Sequence, residues 1–148
     1  MNSKNIGDIG EYAVISFLMK YGVSVYKSIG DNSPADIIID INGELLKVQI
    51  KTSTYAGKGN SNINAVLFPM CTSQEHRGKG RHLYTKEEVD YFIFYSPIHD
   101  ELLIYQNKGV EFSILFRFNK TRQTKNVKYA KDFLLSSFLE ERGYKKLI

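Results

Sequence analysis

Three polar residues, Asp36, Gln49 and Lys51, lie on two apolar stretches that are separated by Asn42-Gly43. Asn-Gly is typical of the two-residue type I′ turn, in which both residues need positive φ, so the stretches are predicted to form a β-hairpin. That turn sets the register, and the register places Asp36 opposite Gln49. Lys51 is two residues beyond Gln49 and therefore points to the same side of the sheet. A carboxylate, an amide and an ammonium group are thus predicted to converge at the open end of one hairpin.

This set of groups is suited to the hydrolysis of a phosphodiester bond. Mg²⁺ prefers oxygen ligands, which the Asp36 carboxylate and the Gln49 carbonyl can provide. A bound cation lowers the pKa of its water and stabilises the negative charge that develops on the phosphate, and Lys51 can stabilise the same charge. The hairpin alone leaves a second interpretation open, a solvated strand face on which Lys51 only pairs with Asp36.

Glu11 is a fourth candidate, because it lies near the predicted start of a helix. Asp8 and Glu11 have the Asp-x-x-Glu spacing of a capping box, and apolar residues follow at helical spacing as far as Gly22. A glutamate near a helix start can also reach a site beside the helix. Both interpretations stay open, and they are compatible if Asp8 is the cap and Glu11 is a ligand.

The hydrophobic pattern predicts an α+β domain, in which a helix is followed by a run of strands and a second helix. The predicted strands span residues 23–28, 36–41, 44–52, 64–70, 89–96, 102–107 and 110–118. A C-terminal helix is predicted from the spacing of apolar residues after Ala130, with its end at Gly143. No linker divides the chain, so we expect a single domain over residues 1–148.

The charge distribution points to a polyanionic partner. The 148 residues include 20 Lys and Arg and 16 Asp and Glu, which gives a formal net charge of +4. Basic residues concentrate in the stretches 51–86 and 114–131, where Glu75 is the only acid. Such stretches on a small domain are typical of nucleic-acid binding. The alternative is a charged face that only keeps the protein soluble.

The glycine-containing loop Arg77-Gly78-Lys79-Gly80-Arg81-His82 is the best candidate for direct contact with DNA. Glycines let such a loop follow a groove, and arginine can bind a guanine edge bidentately. The second basic stretch could form a strand and turn that contact the same or a neighbouring groove, mostly at phosphates. The predicted DNA-contacting residues are Lys58, Arg77, Lys79, Arg81, Arg117, Lys120, Arg122 and Lys125.

The sequence also indicates a compartment. Cys71 is the only cysteine, which excludes a disulfide within the chain and fits a reducing environment. The N-terminus lacks the layout of a signal peptide, and no apolar run approaches the roughly 18 residues of a membrane span. We therefore expect a cytoplasmic protein without a membrane partner.

Taken in order, the candidate residues resemble the motif of the PD-(D/E)XK nuclease superfamily, which includes Holliday-junction resolvases and many restriction enzymes. The sequence is most similar to the small homing endonucleases that are encoded in cyanobacterial group I introns. Their pattern is found here as Gly7-Asp8-Ile9-Gly10-Glu11, Asp36 and Val48-Gln49-Ile50-Lys51-Thr52. The segments Val89-Asp90-Tyr91-Phe92 and Phe116-Arg117-Phe118 also resemble that group, so the resemblance spans most of the chain.

The resemblance implies a restriction-endonuclease-like core of the α/β/α type, with an N-terminal helix, a central mixed β-sheet and a C-terminal helix. It implies DNA-contacting insertions around residues 55–86 and 114–131. The implied catalytic residues are Glu11, Asp36, Gln49 and Lys51, and the implied Mg²⁺ ligands are Glu11, Asp36, Gln49 and the Ile50 carbonyl.

Two positions depart from the commoner superfamily pattern. Gln49 stands where most members have an acid, which removes one negative charge from the metal site, but the homing type shares this glutamine. Pro34 precedes Ala35 rather than the aspartate itself. We interpret Gln49 as a sign of the subgroup and not of a lost activity.

These observations together predict a Mg²⁺-dependent, site-specific endonuclease that cuts double-stranded DNA. One active site cuts one strand, so a double-strand break requires at least a symmetric dimer, and the resemblance suggests a tetramer. Two alternatives stay open. One is a Holliday-junction resolvase, which would recognise branched DNA by its shape, and the other is a non-catalytic DNA-binding protein with the same fold.

Overall fold

A computed structural model describes residues 1–72 and 80–148. Helix α1 spans Ser3–Lys20, a 3₁₀ turn spans Ala130–Asp132, and helix α2 spans Leu135–Glu141. The strands are β1 (Ser24–Lys27), β2 (Ile37–Ile41), β3 (Glu44–Thr52), β4 (Ala65–Pro69), β5 (Tyr91–Ser96), β6 (Glu101–Gln106), β7 (Ser113–Arg117) and β8 (Lys128–Tyr129). The predicted α+β order of helix, strands and helix is confirmed. Within the described ranges, no helix is long and apolar enough to cross a membrane.

The β2–β3 hairpin has the predicted register. Backbone pairing runs from the turn to Ile37 and Val48, and both turn residues, Asn42 and Gly43, have positive φ angles of 54° and 90°. Because side chains alternate along a strand, this register turns one apolar face into the core. The buried residues of that face are Ile37, Ile39, Leu46, Val48 and Ile50.

The hairpin belongs to a five-stranded mixed sheet with the order β1-β2-β3-β5-β6. Its strand pairs are antiparallel except β3 with β5, which run parallel. Both helices cover the same face of this sheet, where Val14 and Leu18 of α1 pack against the apolar side of the hairpin and Leu135 and Leu139 of α2 pack against β6. The expected mixed central sheet with its two helices is therefore present.

A second, three-stranded sheet covers the opposite face, with the order β4-β7-β8. Phe68 and Phe116 of this sheet contact Phe94 of the central sheet, with ring centroids 4.7 and 5.5 Å apart. The sequence pattern predicted β4 and β7 but not their separate sheet, because a strand buried on one face alternates in the same way in either sheet. Both basic stretches contribute strands to this second sheet.

Helix α1 begins earlier than predicted. Its N-cap is Asn2, whose Oδ1 accepts a hydrogen bond from Asn5 N at 2.9 Å. Asp8 therefore lies inside the helix, and the predicted capping box of Asp8 with Glu11 is wrong. The Asp-x-x-Glu spacing suggested a later start, but the Asn2 side chain caps the helix more than one turn earlier.

The C-terminal helix is shorter than predicted. Leu134 has an extended backbone and forms a β-bridge with Leu103 of β6, and the carbonyl of Phe133 accepts a hydrogen bond from Ile104 N at 2.8 Å. These contacts hold the segment against the sheet, so the helix begins only after it. Gly143 ends the helix as predicted, with φ at 90°.

Candidate active site

The open end of the hairpin brings Asp36 beside the backbone of β3. Asp36 N donates a hydrogen bond to the Val48 carbonyl at 2.9 Å, and Asp36 Oδ2 accepts one from Ile50 N at 2.8 Å. Of the described residues, none donates a hydrogen bond to Asp36 Oδ1. This oxygen is therefore available to a ligand.

The groups around Asp36 shift the pKa of its carboxyl in both directions. Burial raises the pKa of Asp36 above its ordinary value, and the negative charge of Glu11 raises it further. The Ile50 N–H and the positive charges of Lys51 and Lys27 act in the opposite direction. The charges of Glu11 on α1, Lys27 on β1 and Lys51 on β3 therefore all act on the Asp36 carboxylate.

Gln49 lies beside Asp36 and is only 9% exposed. Its Nε2 lies 3.4 Å from the Ile50 carbonyl oxygen, so its Oε1 is left for another partner. The Ile50 side chain belongs to the core, whereas its carbonyl faces the Gln49 amide. The site thus offers carboxylate, amide and backbone carbonyl oxygens.

Lys51 is half-buried beside these groups. Its Nζ donates a hydrogen bond to the Cys71 carbonyl at 3.3 Å and lies 5.4 Å from the centroid of the Tyr84 ring. Burial lowers the pKa of Lys51, while the Asp36 charge acts in the opposite direction. Lys51 forms no ion pair with any described carboxylate. The ion pair between Lys51 and Asp36 that the alternative interpretation requires is therefore absent.

Glu11 projects from α1 and forms an ion pair with Lys27 of β1, with Nζ and Oε1 2.7 Å apart. The helix approaches the sheet closely here, as the position of Gly10 shows. A Cβ on Gly10 would lie only 1.7 Å from Thr52 Oγ1. That hydroxyl is buried and finds no hydrogen-bond partner among the described residues. Glu11 is thus held at the site with its charge partly neutralised by Lys27.

Two adjoining depressions border Asp36, Gln49 and Lys51, whereas Glu11 lines neither of them. Asp36 and Gln49 line one, with a volume of about 430 Å³. Lys51 and Arg81 line the other, with a volume of about 540 Å³, which continues along the second sheet. Thr72 borders both depressions. An anion that lay across both depressions would therefore have Lys51 and Arg81 on one side. On the other side, the oxygens of Asp36 and Gln49 could bind a cation that neutralises it.

The oxygen atoms of the site fit a hard divalent cation. Asp36 and Glu11 supply two formal charges, and the remaining donors are the neutral oxygens of Gln49 and Ile50. In residues 1–72 and 80–148 there is no group of three His, Cys, Asp or Glu side chains that could hold a metal ion. A cation at this site would therefore depend on neutral oxygens and water as well as on the two carboxylates.

Several predicted DNA-contacting residues meet on the second sheet. Arg117 Nη1 donates a hydrogen bond to Asn60 Oδ1 at 2.9 Å, which ties β7 to the loop that carries Lys58. Arg117 and Lys120 line a cavity of about 420 Å³ together with Lys131, which was not predicted. Three basic side chains therefore line one cavity on the second sheet.

The remaining predicted DNA-contacting residues do not all join this surface. Arg81 is exposed and lines the groove beside Lys51. Arg122 and Lys125 are exposed in the segment between β7 and β8. Arg77 and Lys79 lie outside the described residues.

Sequence reasoning missed two residues that contact the candidate site. Lys27 meets Glu11 only because β1 lies beside α1, and nothing in the local sequence indicates that contact. Tyr84 is one of ten tyrosines and has no distinguishing pattern. In contrast, Lys131 lies in the second basic stretch, so the charge pattern could have identified it.

Comparison with known proteins identifies a family for this chain. The sequence matches the PD-(D/E)XK endonuclease family over residues 1–136. No curated protein gives a significant sequence match. The fold is similar to that of a bacterial homing endonuclease, I-Ssp6803I, with a TM-score of 0.74 and 22% identity over 95% of each chain. This similarity confirms the restriction-endonuclease-like fold.

The matched range includes the helix that carries Glu11 and the hairpin that carries Asp36, Gln49 and Lys51. Nucleases of this family generally use divalent metal ions, which agrees with the oxygen donors described above. The chain belongs to the family of PD-(D/E)XK endonucleases.

Proposed function

We propose that the protein is a Mg²⁺-dependent, site-specific endodeoxyribonuclease that cuts double-stranded DNA, of the type encoded in group I introns. The observation that carries this proposal is the placement of Asp36 and Lys51. They line adjoining depressions, and each is held by backbone groups rather than by the other. The Asp36 carboxylate can therefore bind a cation while the Lys51 ammonium binds a phosphate, because the two side chains form no ion pair with each other.

In the proposed mechanism, the chain supplies fixed charges around the scissile phosphate. Mg²⁺, when bound, would activate a water molecule and neutralise the charge that develops on the phosphate. Glu11, Asp36 and the oxygens of Gln49 and Ile50 would hold it. Lys51 stabilises the same negative charge, and its partial burial strengthens the attraction because little water screens it.

The basic side of the second sheet is the proposed DNA-binding surface. Strand β7 runs from Ser113, which borders the groove beside Lys51, to Arg117 and the basic cavity. Four residues of extended strand span about 13 Å. Along the axis of a duplex, where the rise is about 3.4 Å per base pair, that length corresponds to about four base-pair steps. DNA that follows β7 would therefore contact the basic cavity a few nucleotides away from the cleaved phosphate.

The assembly and location follow from the same proposal. Each chain carries one candidate site, so a double-strand break needs at least a homodimer on a pseudo-palindromic target, and we propose a dimer or a tetramer. The protein would act in the cytoplasm on its double-stranded DNA target.

One assay tests the proposed function. The protein is incubated with Mg²⁺ and a random duplex, a four-way junction, or a duplex from the intron-less allele of its host gene, with Asp36→Asn as the inactive control. We expect cleavage of the allele duplex only. Selective nicking of the junction would instead identify a resolvase, and binding without cleavage of any substrate would identify a non-catalytic DNA-binding protein.

A further inference from the structure

Tyr84 lines the same depression as Asp36 and Gln49, although it lies outside the nuclease motif. Its side chain is 8% exposed and packs edge-to-face on Phe92 of β5, with ring centroids 5.8 Å apart. The ring centroid is 5.4 Å from Lys51 Nζ, within the range of a cation–π interaction. Besides the Asp36 charge, the ammonium is therefore attracted by two neutral groups, the Tyr84 ring and the Cys71 carbonyl.

The backbone that carries Tyr84 is fixed by a buried asparagine at the end of β6. Asn107 is 6% exposed, and its Nδ2 donates hydrogen bonds to the carbonyls of Tyr84 at 3.0 Å, Thr85 at 3.2 Å and Val89 at 3.0 Å. Its Oδ1 accepts a hydrogen bond from Gly109 N at 2.9 Å. A buried amide is costly unless it is satisfied, and here both polar atoms of the side chain have partners, with Nδ2 holding the 84–89 segment.

We infer that Tyr84 is a positioning residue for Lys51 and that Asn107 holds Tyr84 in place. Lys51 has a flexible four-carbon stem, so its charge needs contacts that restrict it. A carboxylate would restrict it but would also cancel the charge that a phosphate requires. An aromatic face attracts the ammonium without carrying a net charge, and the Cys71 carbonyl provides a second neutral contact. The catalytic consequence rests on the proposed function, whereas the contact itself does not.

The ring face, and not the hydroxyl, carries this role. Tyr84→Phe keeps the face, while Tyr84→Leu keeps an apolar side chain but removes the face. A matched control is Tyr105→Leu, because Tyr105 is buried in the same cluster but contacts Lys108 and Phe133 instead of Lys51. The Asn107→Leu variant removes the three donated hydrogen bonds at nearly constant side-chain volume.

The first experiment is a double-mutant cycle in urea unfolding, which does not depend on nuclease activity. Tyr84→Leu and Lys51→Met are measured singly and together. We expect their effects on the unfolding equilibrium constant to be non-additive by about three- to tenfold, as for a partly buried cation–π pair. The cycle of Tyr105→Leu with Lys51→Met should be additive. Additivity in the Tyr84 cycle would overturn the inference, even if the protein cuts DNA as proposed.

The second experiment measures cleavage by the full chain with Mg²⁺. Tyr84→Leu and Asn107→Leu are expected to lower kcat about tenfold or more with little change in KM, and Tyr84→Phe should restore kcat to within about threefold of the wild type. A Tyr84→Phe variant as slow as Tyr84→Leu would assign the role to the hydroxyl and overturn the inference. If the wild type cuts no DNA while the cycle is non-additive, the proposed function fails and the positioning contact stands.

Discussion

Gly10 of α1 and Thr52 of β3 lie so close together that a Cβ on Gly10 would stand 1.7 Å from Thr52 Oγ1. The contact sets the distance between the helix and the sheet at the point where both carry candidate catalytic residues. Glu11 follows Gly10, and Thr52 follows Lys51. Any change that moves the helix away from the sheet here should therefore separate Glu11 from Asp36 and Lys51.

Gly10→Ala is the variant that tests this close approach. Alanine favours a helix over glycine, but the overlap with Thr52 should outweigh that gain and lower the free energy of unfolding by about 1–3 kcal/mol. Gly7→Ala is the matched control, because apart from its chain neighbours and the backbone of its own helix no described atom lies within 4 Å of a Cβ there. We expect it to be neutral or stabilising by up to about 1 kcal/mol. Urea unfolding measures both, and equal stability of the two variants would contradict the packing argument.

Asp36→Asn should abolish cleavage without destabilising the protein at neutral pH. Burial raises the pKa of Asp36, so the ionised form is disfavoured in the folded state. That penalty is absent at low pH, where the folded carboxyl is protonated, and it develops as the pH rises through the folded pKa. The stability of Asp36→Asn relative to the wild type should therefore increase with pH. Urea unfolding from about pH 3 to pH 8 tests the sign, and a pH-independent difference would contradict it.

The alternation of residues along the hairpin explains why so much of the site could be predicted from the sequence. Asn42-Gly43 allows only a few turn geometries, so the register, the buried face and the neighbours of Asp36 all follow from one dipeptide. Motif spacing placed Glu11 on a helix but not its partner Lys27. That ion pair depends on which strand lies beside α1, and such packing is decided by contacts between distant segments.

The second sheet was beyond sequence reasoning for a related reason. Strands β4 and β7 have the same hydrophobic pattern whether they extend the central sheet or leave it. The same limit applies to Tyr84, whose contact with Lys51 arises because Asn107 fixes a segment 18 to 23 residues before it. Local patterns identify which residues are buried but not which distant residues they contact.

Lys27→Met should lower the Mg²⁺ concentration that gives half-maximal cleavage. Lys27 competes with a cation for Glu11, since its Nζ lies 2.7 Å from Oε1. Both partners are partly exposed, so we expect a stability change below about 1 kcal/mol. The control for net charge is Lys20→Met, which removes an exposed cation from the last turn of α1, the helix that carries Glu11. An unchanged metal requirement in Lys27→Met would argue against Glu11 as a ligand.

DNA affinity should depend steeply on salt. Each neutralised phosphate contributes about 0.9 to the slope of log K against log salt. Lys120→Ala and Lys131→Ala remove cations from the basic cavity, and each should reduce the slope by about 1 on every duplex sequence. Lys145→Ala, near the end of the chain and after α2, serves as the control. Fluorescence anisotropy at several salt concentrations measures the slopes, and unchanged slopes for both cavity variants would remove this cavity from the DNA-binding surface.

Gln49 provides a test of the metal site that needs no cleavage. Gln49→Glu places a second carboxylate next to Asp36 at a position that is only 9% exposed, with one of its oxygens facing the Ile50 carbonyl. Repulsion and burial should lower the stability of this variant when no metal is present. The added charge should also tighten cation binding, so Mg²⁺ should restore the lost stability.

The measurement is the melting temperature as a function of Mg²⁺ concentration. A ligand that binds only the folded state stabilises it by RT ln(1 + [L]/Kd), so the variant with the lowest Kd gains most. We expect the rise in melting temperature with Mg²⁺ to be largest for Gln49→Glu, smaller for the wild type and smallest for Gln49→Ala. Gln106→Glu adds the same charge at the exposed end of β6 and should gain no more than the wild type. If the gains of Gln49→Glu, the wild type and Gln49→Ala coincide, Gln49 is not a metal ligand and its match to the nuclease motif has no role in metal binding.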